Sequence, residues 1–496
     1  MATARATARS DAAPSGAASG GAGGDAVRRA REAGATWSRW PVAQRLGVIR
    51  RLRRRLAERP LDLAATATLP WRSCTAETLT AEVLPLLDAC RFLEKRARSL
   101  LAPRRPGLRG RPAWLFGSHL EIRREPLGVV LVIGPSNYPI LLAGVQLLQA
   151  LVAGNAVVVK PGRDGFGAMR LLGEVLSDCG LPEGAVQVLP EEIEGAVSAL
   201  AEGVDKVVLT GSHSTGRTVM RTLAETATPA VMELSGCDAV VVRADADEAM
   251  AADAVAFGMG LNGGFTCIAP RRLLVDRSVA EDFVTELSRR LAGRASIELP
   301  AETAAALARE VEAVLSRGGR LLVGGVDPVK PLLLAGVSER DMLRIADIPA
   351  PCAAIFEVSG DDEALARISG GRFRLGASIF GEKNASLALA RRVDSGVVVV
   401  NDVIVPTADP RAPFGGRGAS GFGVTRGAEG LLEMTVTKTL VHRSGRLRPH
   451  YDPVGDADTP LFESFIQLCH GPRALRLGAL GRLMKAGREK TRAGAT

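Results

Sequence analysis

Apolar runs in the first half of the chain predict four strands, and the first two runs are those of buried strands. The strands are GVVLVIG (128–134), which is continuously apolar, NAVVVKPG (155–162), and the shorter VQVLP (186–190) and DKVVLTG (205–211), and the intervening segments 140–152 and 166–178 show helical spacing. A strand that is apolar at every position is typical of a sheet covered on both faces. The alternation of such strands with helices predicts right-handed βαβ units and a parallel, doubly wound α/β sheet.

Helical spacing dominates the chain before this region, and α/β alternation returns after it. Residues 26–100 place apolar side chains three and four positions apart between arginines, which predicts helices. From about residue 234 a second α/β unit is predicted, with a long helix over 245–260. A final strand, TVTKTLVHR (435–443), precedes the C-terminal tail 446–496.

The two ends of the chain differ in character from its middle. Residues 1–25 are rich in Ala, Gly and Ser, which predicts a disordered segment. The tail contains RALRLGALGRLMKAGREK, a basic and amphipathic stretch. That stretch predicts either contact with a membrane surface or a helix packed on its own protein or on a partner subunit. No run has the pattern of a signal peptide or a transmembrane helix, because the longest apolar runs have the length of strands.

Charge and cysteine content narrow the possible functions. The net charge is +9, but no base-reading motif or array of aromatic residues accompanies it, so we expect no nucleic-acid partner. The seven cysteines are widely spaced and form no CxxC pair, which argues against disulfides and zinc and indicates a reducing, cytoplasmic compartment. The five histidines show no ligand spacing, so we expect no metal site.

One cysteine has a distinctive setting. Cys267 follows two glycines, a phenylalanine and a threonine in NGGFTCIAPRR (262–272). A buried small hydrophobe is the ordinary interpretation of an intracellular cysteine. The alternative is a nucleophile, because a thiolate attacks a carbonyl carbon readily when its pKa is lowered or a base is near. The glycines leave room for a substrate to approach.

The predicted sheet also indicates where a ligand would bind. Ligands of doubly wound sheets lie at the carboxyl ends of the strands. The residues that follow the first, second and fourth of these strands are Pro135, Ser136, Asn137, Lys160, Gly211 and Ser212.

Six stretches together carry a family resemblance over roughly residues 26–445. They are EPLGVVLVIGPSNYP, GNAVVVKPG, DKVVLTGS, VMELSG, NGGFTC and PFGGRGASGFG, and in this order they resemble the NAD(P)-dependent aldehyde dehydrogenase superfamily. The resemblance implies an α/β fold with a Rossmann-like dinucleotide-binding domain (26–116 and 127–234) and an α/β catalytic domain (235–432). It also implies a small bridging β element (117–126 and 433–445) that joins subunits into a homodimer or homotetramer.

The resemblance assigns chemistry to three residues. Cys267 would attack an aldehyde, and Asn137 with the Cys267 backbone N–H would hold the resulting oxyanion. The thiohemiacetal would be oxidised to a thioester, and Glu233 of VMELSG would activate the water that releases a carboxylic acid. The ordinary interpretation of Glu233 is a buried carboxylate paired with an arginine.

The resemblance also implies NAD or NADP as cofactor. Lys160 would bind the adenosine ribose, and Gly211 and Ser212 would meet the pyrophosphate. Arg163 stands where members that prefer NAD often carry a glutamate, and an arginine can pair with a 2′-phosphate, so we expect NADP to serve at least as well as NAD. Asp347, in ADIPAPC (346–352), replaces the longer glutamate that holds the nicotinamide ribose, and Pro349 replaces a phenylalanine.

Two other functions stay open at this point. The same thioester would serve a dehydrogenase that acylates coenzyme A or reduces acyl groups, although such relatives often lack a glutamate at position 233. A non-catalytic scaffold could keep the fold, but it has no need of Cys267, Glu233 and Asn137 together.

Overall fold

The computed structural model describes residues 21–446 and 448–493. The chain divides into two compact units, one formed by Met1–Arg104 with Ile122–Thr439 and the other by Arg105–Glu121 with Leu440–Thr496. The first helix begins at Ala22, so the predicted disordered segment is wrong for its last four residues. Residues 1–20 of that segment lie outside the described residues.

Helices form the N-terminal part of the first unit, as the spacing of apolar residues predicts. In the second of them Leu46, Ile49 and Leu56 are buried while the arginines between them mostly reach solvent. A π-helical turn, Leu79–Val83, joins the last two helices. The helices are α1 (Ala22–Trp37), α2 (Val42–Glu58), α3 (Pro60–Ala64), α4 (Thr75–Thr78) and α5 (Leu84–Leu100).

Alternating strands and helices then build the first large sheet. After β1 (Ser118–Pro126) come β2 (Val129–Ile133), α6 (Leu141–Ala153), β3 (Ala156–Lys160), α7 (Phe166–Asp178), β4 (Val186–Val188), α8 (Ile193–Glu202), β5 (Lys206–Thr210), α9 (His213–Ala224) and β6 (Ala230–Glu233). The strands from β2 to β6 are parallel and lie in the order β6-β5-β2-β3-β4. The chain therefore proceeds outward from β2 in both directions, which makes the β2–β5 boundary the switch point where such sheets bind ligands.

A second sheet follows in the same unit. The elements of this region are β7 (Asp238–Val242), α10 (Glu248–Gly260), β8 (Pro270–Asp276), α11 (Ala280–Ala292), α12 (Ala301–Ser316), β9 (Arg320–Val326), β10 (Val329–Ala335), α13 (Glu339–Ala346), β11 (Cys352–Val358), α14 (Asp361–Gly370), β12 (Phe373–Arg374), β13 (Gly376–Phe380), α15 (Lys383–Ala390) and β14 (Val397–Val400). Of these strands, β12 lies outside the second sheet, in a separate two-stranded sheet. The strand order of the second sheet is β14-β13-β7-β8-β11-β10-β9.

The last elements connect the chain back to the first sheet. They are β15 (Arg417–Gly418), β16 (Gly421–Phe422), α16 (Gly427–Glu433), β17 (Thr435–Arg443), α17 (Thr459–His470) and α18 (Arg473–Ala493). β16 pairs with β6 so that Gly421 lies opposite Glu233, and β17 pairs with β1 in a separate two-stranded sheet.

The strands β2 to β6 are parallel, as predicted, and each large sheet also contains one antiparallel strand that the sequence did not predict. β16 is antiparallel to β6, and β9 is antiparallel to β10. Both antiparallel strands lie at an edge of their sheet. A short turn joins β9 to β10 and needs no crossover helix, whereas β16 returns to β6 from a distant part of the chain.

The helices were compared with the length and hydropathy of a membrane-spanning segment. Among residues 21–446 and 448–493, no helix is both long enough and apolar enough to cross a bilayer.

Candidate active site

The loop before Cys267 has a backbone that only particular residues adopt. Asn262, Gly263 and Gly264 all have positive φ, at 51°, 60° and 81°. Asparagine and glycine are the residues that tolerate this region. A Cβ at Gly264 would lie 2.4 Å from the backbone nitrogen of Pro351, so a larger residue would displace the loop. The two glycines of NGGFTC therefore allow the backbone conformation that leads into Cys267.

Asn262 connects this loop to the N-terminal helical region. Its Oδ1 accepts hydrogen bonds from Trp71 Nε1 at 3.1 Å and from Arg72 Nε at 2.8 Å. Its Nδ2 donates to the backbone carbonyl of Asn137 at 2.9 Å. The Trp71 ring also stacks on Phe265 with 4.0 Å between centroids. Residues far apart in sequence thus hold the Cys267 loop.

Asn137 lies directly beside the same loop. Its Nδ2 donates to the Phe265 carbonyl at 2.7 Å, two residues before Cys267. An amide nitrogen carries two hydrogens, so the second remains available to another acceptor. The Asn137 carbonyl also accepts from Arg72 Nη2 at 3.1 Å, which fixes the residue on its backbone side as well.

A buried ion pair stabilises the position of Asn137 and the start of α6. Arg72 and Glu82 pair with almost no side-chain exposure. Glu82 Oε2 accepts from the backbone N–H groups of Ile140 and Leu141 at 2.7 and 3.0 Å. One carboxylate therefore neutralises Arg72 and satisfies free donors at the start of α6, just after Asn137.

Glu233 is buried at the end of β6. Its Oε2 accepts a hydrogen bond from Thr425 Oγ1 at 3.3 Å, and among the described residues its Oε1 has no partner. Burial raises the pKa of this carboxyl above its usual 4.5, although the positive charge of Arg426 opposes the shift. Within the described residues, Glu233 makes no ion pair at contact distance, although the charge of Arg426 acts on it.

Cys267 and Glu233 line one cavity of about 600 Å³. Its walls are mostly apolar, and Arg426 and a second thiol, Cys74, line it as well. Burial raises the pKa of the Cys267 thiol, and the negative charges of Glu233 and Asp238 raise it further. Arg426 favours the thiolate, so it is the cation of the cavity that opposes these effects.

The residues predicted to bind the cofactor meet at the switch point of the first sheet. Pro135 and Ser136 follow β2, Lys160 ends β3, and Gly211 follows β5. A Cβ added to Gly162 would lie 2.3 Å from the carbonyl carbon of Pro135, so the first two turns are in backbone contact.

The start of α9 faces the space beside these turns. Ser212 caps this helix, since its Oγ accepts from the backbone N–H of Thr215 at 3.1 Å. Around Gly211 a Cβ would contact only Leu209 Cδ2, at 3.6 Å, so the backbone there is open. An open helix N-terminus at the same edge of the sheet as Lys160 and the exposed Arg163 fits an anionic dinucleotide.

Asp347 lies on a segment that packs against the Cys267 loop. Arg271 joins the two, since it donates to the carbonyl of Gly264 at 2.8 Å and to that of Ala350. The Asp347 carboxylate itself pairs with Arg372 at 3.1 Å, with both side chains about half exposed. An exposed pair of this kind holds the Asp347 carboxylate only weakly, so a ribose hydroxyl can still compete for it.

Within the described residues, no three His, Cys, Asp or Glu side chains gather in an arrangement that could hold a metal ion.

Comparisons with known proteins agree with this geometry. A model of the aldehyde dehydrogenase family matches residues 17–440, so the chain belongs to that family. It is an NAD(P)-dependent aldehyde dehydrogenase, which oxidises an aldehyde to a carboxylic acid. The expected family, fold class and cofactor are thereby confirmed.

Two curated relatives and one solved structure illustrate the similarity. A 4,4'-diapolycopene aldehyde oxidase of Methylomonas sp is 29% identical over 90% of this chain and 86% of its own length. A vanillin dehydrogenase of Pseudomonas fluorescens is 32% identical over 69% of this chain and 74% of its own. The NAD+ complex of a Mycobacterium tuberculosis aldehyde dehydrogenase is 25% identical, with a TM-score of 0.79 over 86% of this chain and 92% of its own.

Several residues of the site escaped the sequence analysis. Trp71, Arg72, Glu82, Asn262 and Arg426 all lie in the network or in the cavity. Glu82 gave a weak signal, since it is the one acidic residue of LTAEVLPLL. Asn262 begins the NGGFTC stretch but was given no role of its own. Trp71, Arg72 and Arg426 have no local pattern, because their partners lie in distant parts of the chain.

Proposed function

We propose that Cys267 is the nucleophile, that Asn137 holds the oxyanion and that Glu233 is the general base. The observation that carries this proposal is the cavity itself, which Cys267 and Glu233 both line, together with a Glu233 carboxyl oxygen that has no hydrogen-bond partner among the described residues. A nucleophile and a base that share one buried space are what thioester formation and hydrolysis require.

Each residue has a defined task in this scheme. Cys267 Sγ attacks the aldehyde carbon, and the free Nδ2 hydrogen of Asn137 with the Cys267 backbone N–H stabilises the oxyanion. Burial outweighs Arg426 and keeps the thiol protonated, so its proton passes to water as Sγ attacks, and Arg426 favours the thiolate that forms. After oxidation Glu233 would take a proton from the water that attacks the thioester, and its raised pKa suits it to that transfer near neutral pH.

The cofactor would be held by Pro135, Ser136, Lys160, Gly211 and Ser212. Arg163 would lie near a 2′-phosphate, and Asp347 would lie near the nicotinamide ribose. When bound, the nicotinamide supplies the hydride acceptor. We propose that residues 26–116 and 127–234 form the domain that binds it, and that 235–432 form the catalytic domain.

The walls of the cavity favour an apolar aldehyde. Leu141, Leu142 and Ile268 line its wall, and the exposed Phe257 and Val405 extend the apolar lining to the surface. Each methylene of a substrate tail that enters such a cavity contributes about 0.8 kcal/mol, which is about fourfold in kcat/KM. We expect kcat/KM for unbranched aldehydes to rise with chain length by about this factor until the cavity is full.

Nicotinamide reduction by Cys267→Ala tests the nucleophile. The matched control is Cys74→Ala, which removes the other thiol of the cavity. Cys74 is exposed and local hydrogen bonds lower its pKa, so it would react first with an alkylating reagent. Turnover, not labelling, must therefore be measured. We expect Cys267→Ala to lose turnover by at least about a thousandfold and to keep dinucleotide binding.

Two outcomes would contradict the assignment. Loss of turnover in Cys74→Ala with activity retained in Cys267→Ala would move the nucleophile to Cys74. Turnover that requires added coenzyme A would replace hydrolysis of the thioester by transfer to a thiol.

A further inference from the structure

Positive charge is concentrated in the second unit of the chain. Arg105–Glu121 and Leu440–Thr496 contain thirteen Lys and Arg against six Asp and Glu, which gives a net charge of +7. The whole chain has a net charge of only +9. The second unit therefore holds most of the net charge of the protein. Its positive electrostatic potential attracts anionic partners to this part of the chain.

The helices α17 and α18 of this unit form an antiparallel hairpin. Arg482 Nη2 donates to Gln467 Oε1 at 2.6 Å, and Lys490 Nζ pairs with Asp458 at 2.8 Å. Ala479 is buried in the contact between the two helices. The hairpin thus fixes which side of α18 stays open.

The open side of α18 exposes large apolar side chains. Leu477 is 84% exposed. Leu480, three residues further along, and Met484, four residues beyond Leu480, are exposed on the same face. Phe462 and Ile466 of α17 are exposed too. Such a cluster on a water-facing helix pair marks an interaction site.

Basic residues accompany these apolar side chains. Arg473, Lys485 and Arg488 of α18 are exposed beside the apolar residues. We call the set Leu477, Leu480, Met484, Arg473, Lys485 and Arg488 the basic apolar face.

We propose that the basic apolar face binds the surface of a membrane that contains anionic lipids. Leucine and methionine enter the boundary between headgroups and acyl chains, while arginine and lysine stay at the level of the phosphates. Each basic residue near an anionic surface adds attraction. The face lies on the membrane and does not span it, since no described helix is long and apolar enough. An enzyme of apolar aldehydes would thereby meet substrates that concentrate in lipid.

The charge favours a lipid surface over a second copy of this chain. A symmetric dimer through this face would place the same basic residues against each other, and such like-charge contacts are costly. A nucleic acid would satisfy the arginines but would leave Leu477, Leu480 and Met484 in water.

Co-sedimentation of the full chain with vesicles tests the proposal. One set of vesicles is phosphatidylcholine, and the other is phosphatidylcholine mixed with phosphatidylglycerol. We expect binding to the anionic set, weakening as salt is raised. Two triple variants divide the surface, L477S/L480S/M484S and R473E/K485E/R488E, and each should bind at least about tenfold more weakly.

The matched control is L61S/I193S/V197S, which removes three exposed apolar residues of the first unit. It should bind like the unaltered chain, and all three variants should keep full activity on a water-soluble aldehyde. Equal binding by the control and the L477S/L480S/M484S variant would overturn the proposal. An absence of vesicle binding would also overturn it. Binding of single-stranded RNA by the unaltered chain would then indicate a nucleic-acid site, and a changed oligomeric state in the variants would indicate a contact between subunits.

Discussion

Glu233 differs from an ordinary buried carboxylate because the residue lines a cavity and one of its oxygens has no hydrogen-bond partner among the described residues. Glu233→Gln keeps the shape and the contact with Thr425 but removes the base. We expect steady-state turnover to fall by about a hundredfold or more, because general-base catalysis contributes about that much. A first burst of reduced nicotinamide, measured by rapid mixing, should remain, since the thioester can still form.

The pH dependence of the unaltered enzyme should report the same carboxyl. Burial disfavours the ionised form and raises the pKa above 4.5. The base acts only when ionised, so deacylation is lost as the pH falls through that raised pKa. Burial also raises the pKa of Asp238, to about 7, and its charge acts on Cys267. If Glu233 is the source of the acid limb, Asp238→Asn should therefore keep that limb. Loss of the burst in Glu233→Gln would instead place Glu233 in the first half of the reaction.

Arg163 is the residue that we expect to decide between the two cofactors. It is exposed in the turn after β3, three residues from Lys160. Arg163→Glu should raise the KM for NADP by at least about tenfold and leave the KM for NAD unchanged or lower, since a charge-assisted contact is lost only with the 2′-phosphate. Arg170→Glu, on the exposed face of α7, is the control. A strong preference of the unaltered enzyme for NAD would contradict the proposal.

At the scale of elements, the junction between α4, α6 and the Cys267 loop depends on Arg72 and Glu82. Glu82→Ala leaves Arg72 buried without its partner and removes the acceptor at the start of α6. We expect the free energy of unfolding to fall by about 3 kcal/mol, measured by urea denaturation. Glu174→Ala breaks an exposed pair with Arg170 and should cost about 0.5 kcal/mol or less. Equal effects would show that the buried pair does not hold the junction.

These elements also show which features the sequence could predict. β2, β3 and β5 were predictable because a strand buried on both faces must be apolar at every position. α7 and β17 were predicted with their observed bounds. By contrast, α12 and the antiparallel pair β9–β10 were not predicted, since β9 is half exposed and has little apolar periodicity. The contacts of Arg72 with Asn137 and Asn262 connect distant segments, and no local pattern reports them.

At the scale of the whole molecule, β17 has an edge that the rest of the described chain does not cover. Its nine residues pair with β1 alone among the described residues, and Val436 and Leu440 are exposed. An open edge strand with apolar side chains invites pairing with another chain. We therefore propose that β17 pairs across subunits in a homodimer or homotetramer.

Lysine on this edge should separate the subunits. V436K/L440K places like charges beside each other wherever two β17 strands pair, and edge lysines oppose such pairing. Sedimentation velocity should then show a shift from the oligomer toward the monomer, with each monomer keeping its own Cys267 and Glu233. Val197→Lys, at an exposed apolar position of α8, controls for the added charge. If the mass of V436K/L440K stays that of the unaltered protein, any subunit contact uses another surface and the β17 edge serves a different purpose. If the mass falls and activity falls with it, the subunit contact also supports the cavity, because neither substituted residue lines it.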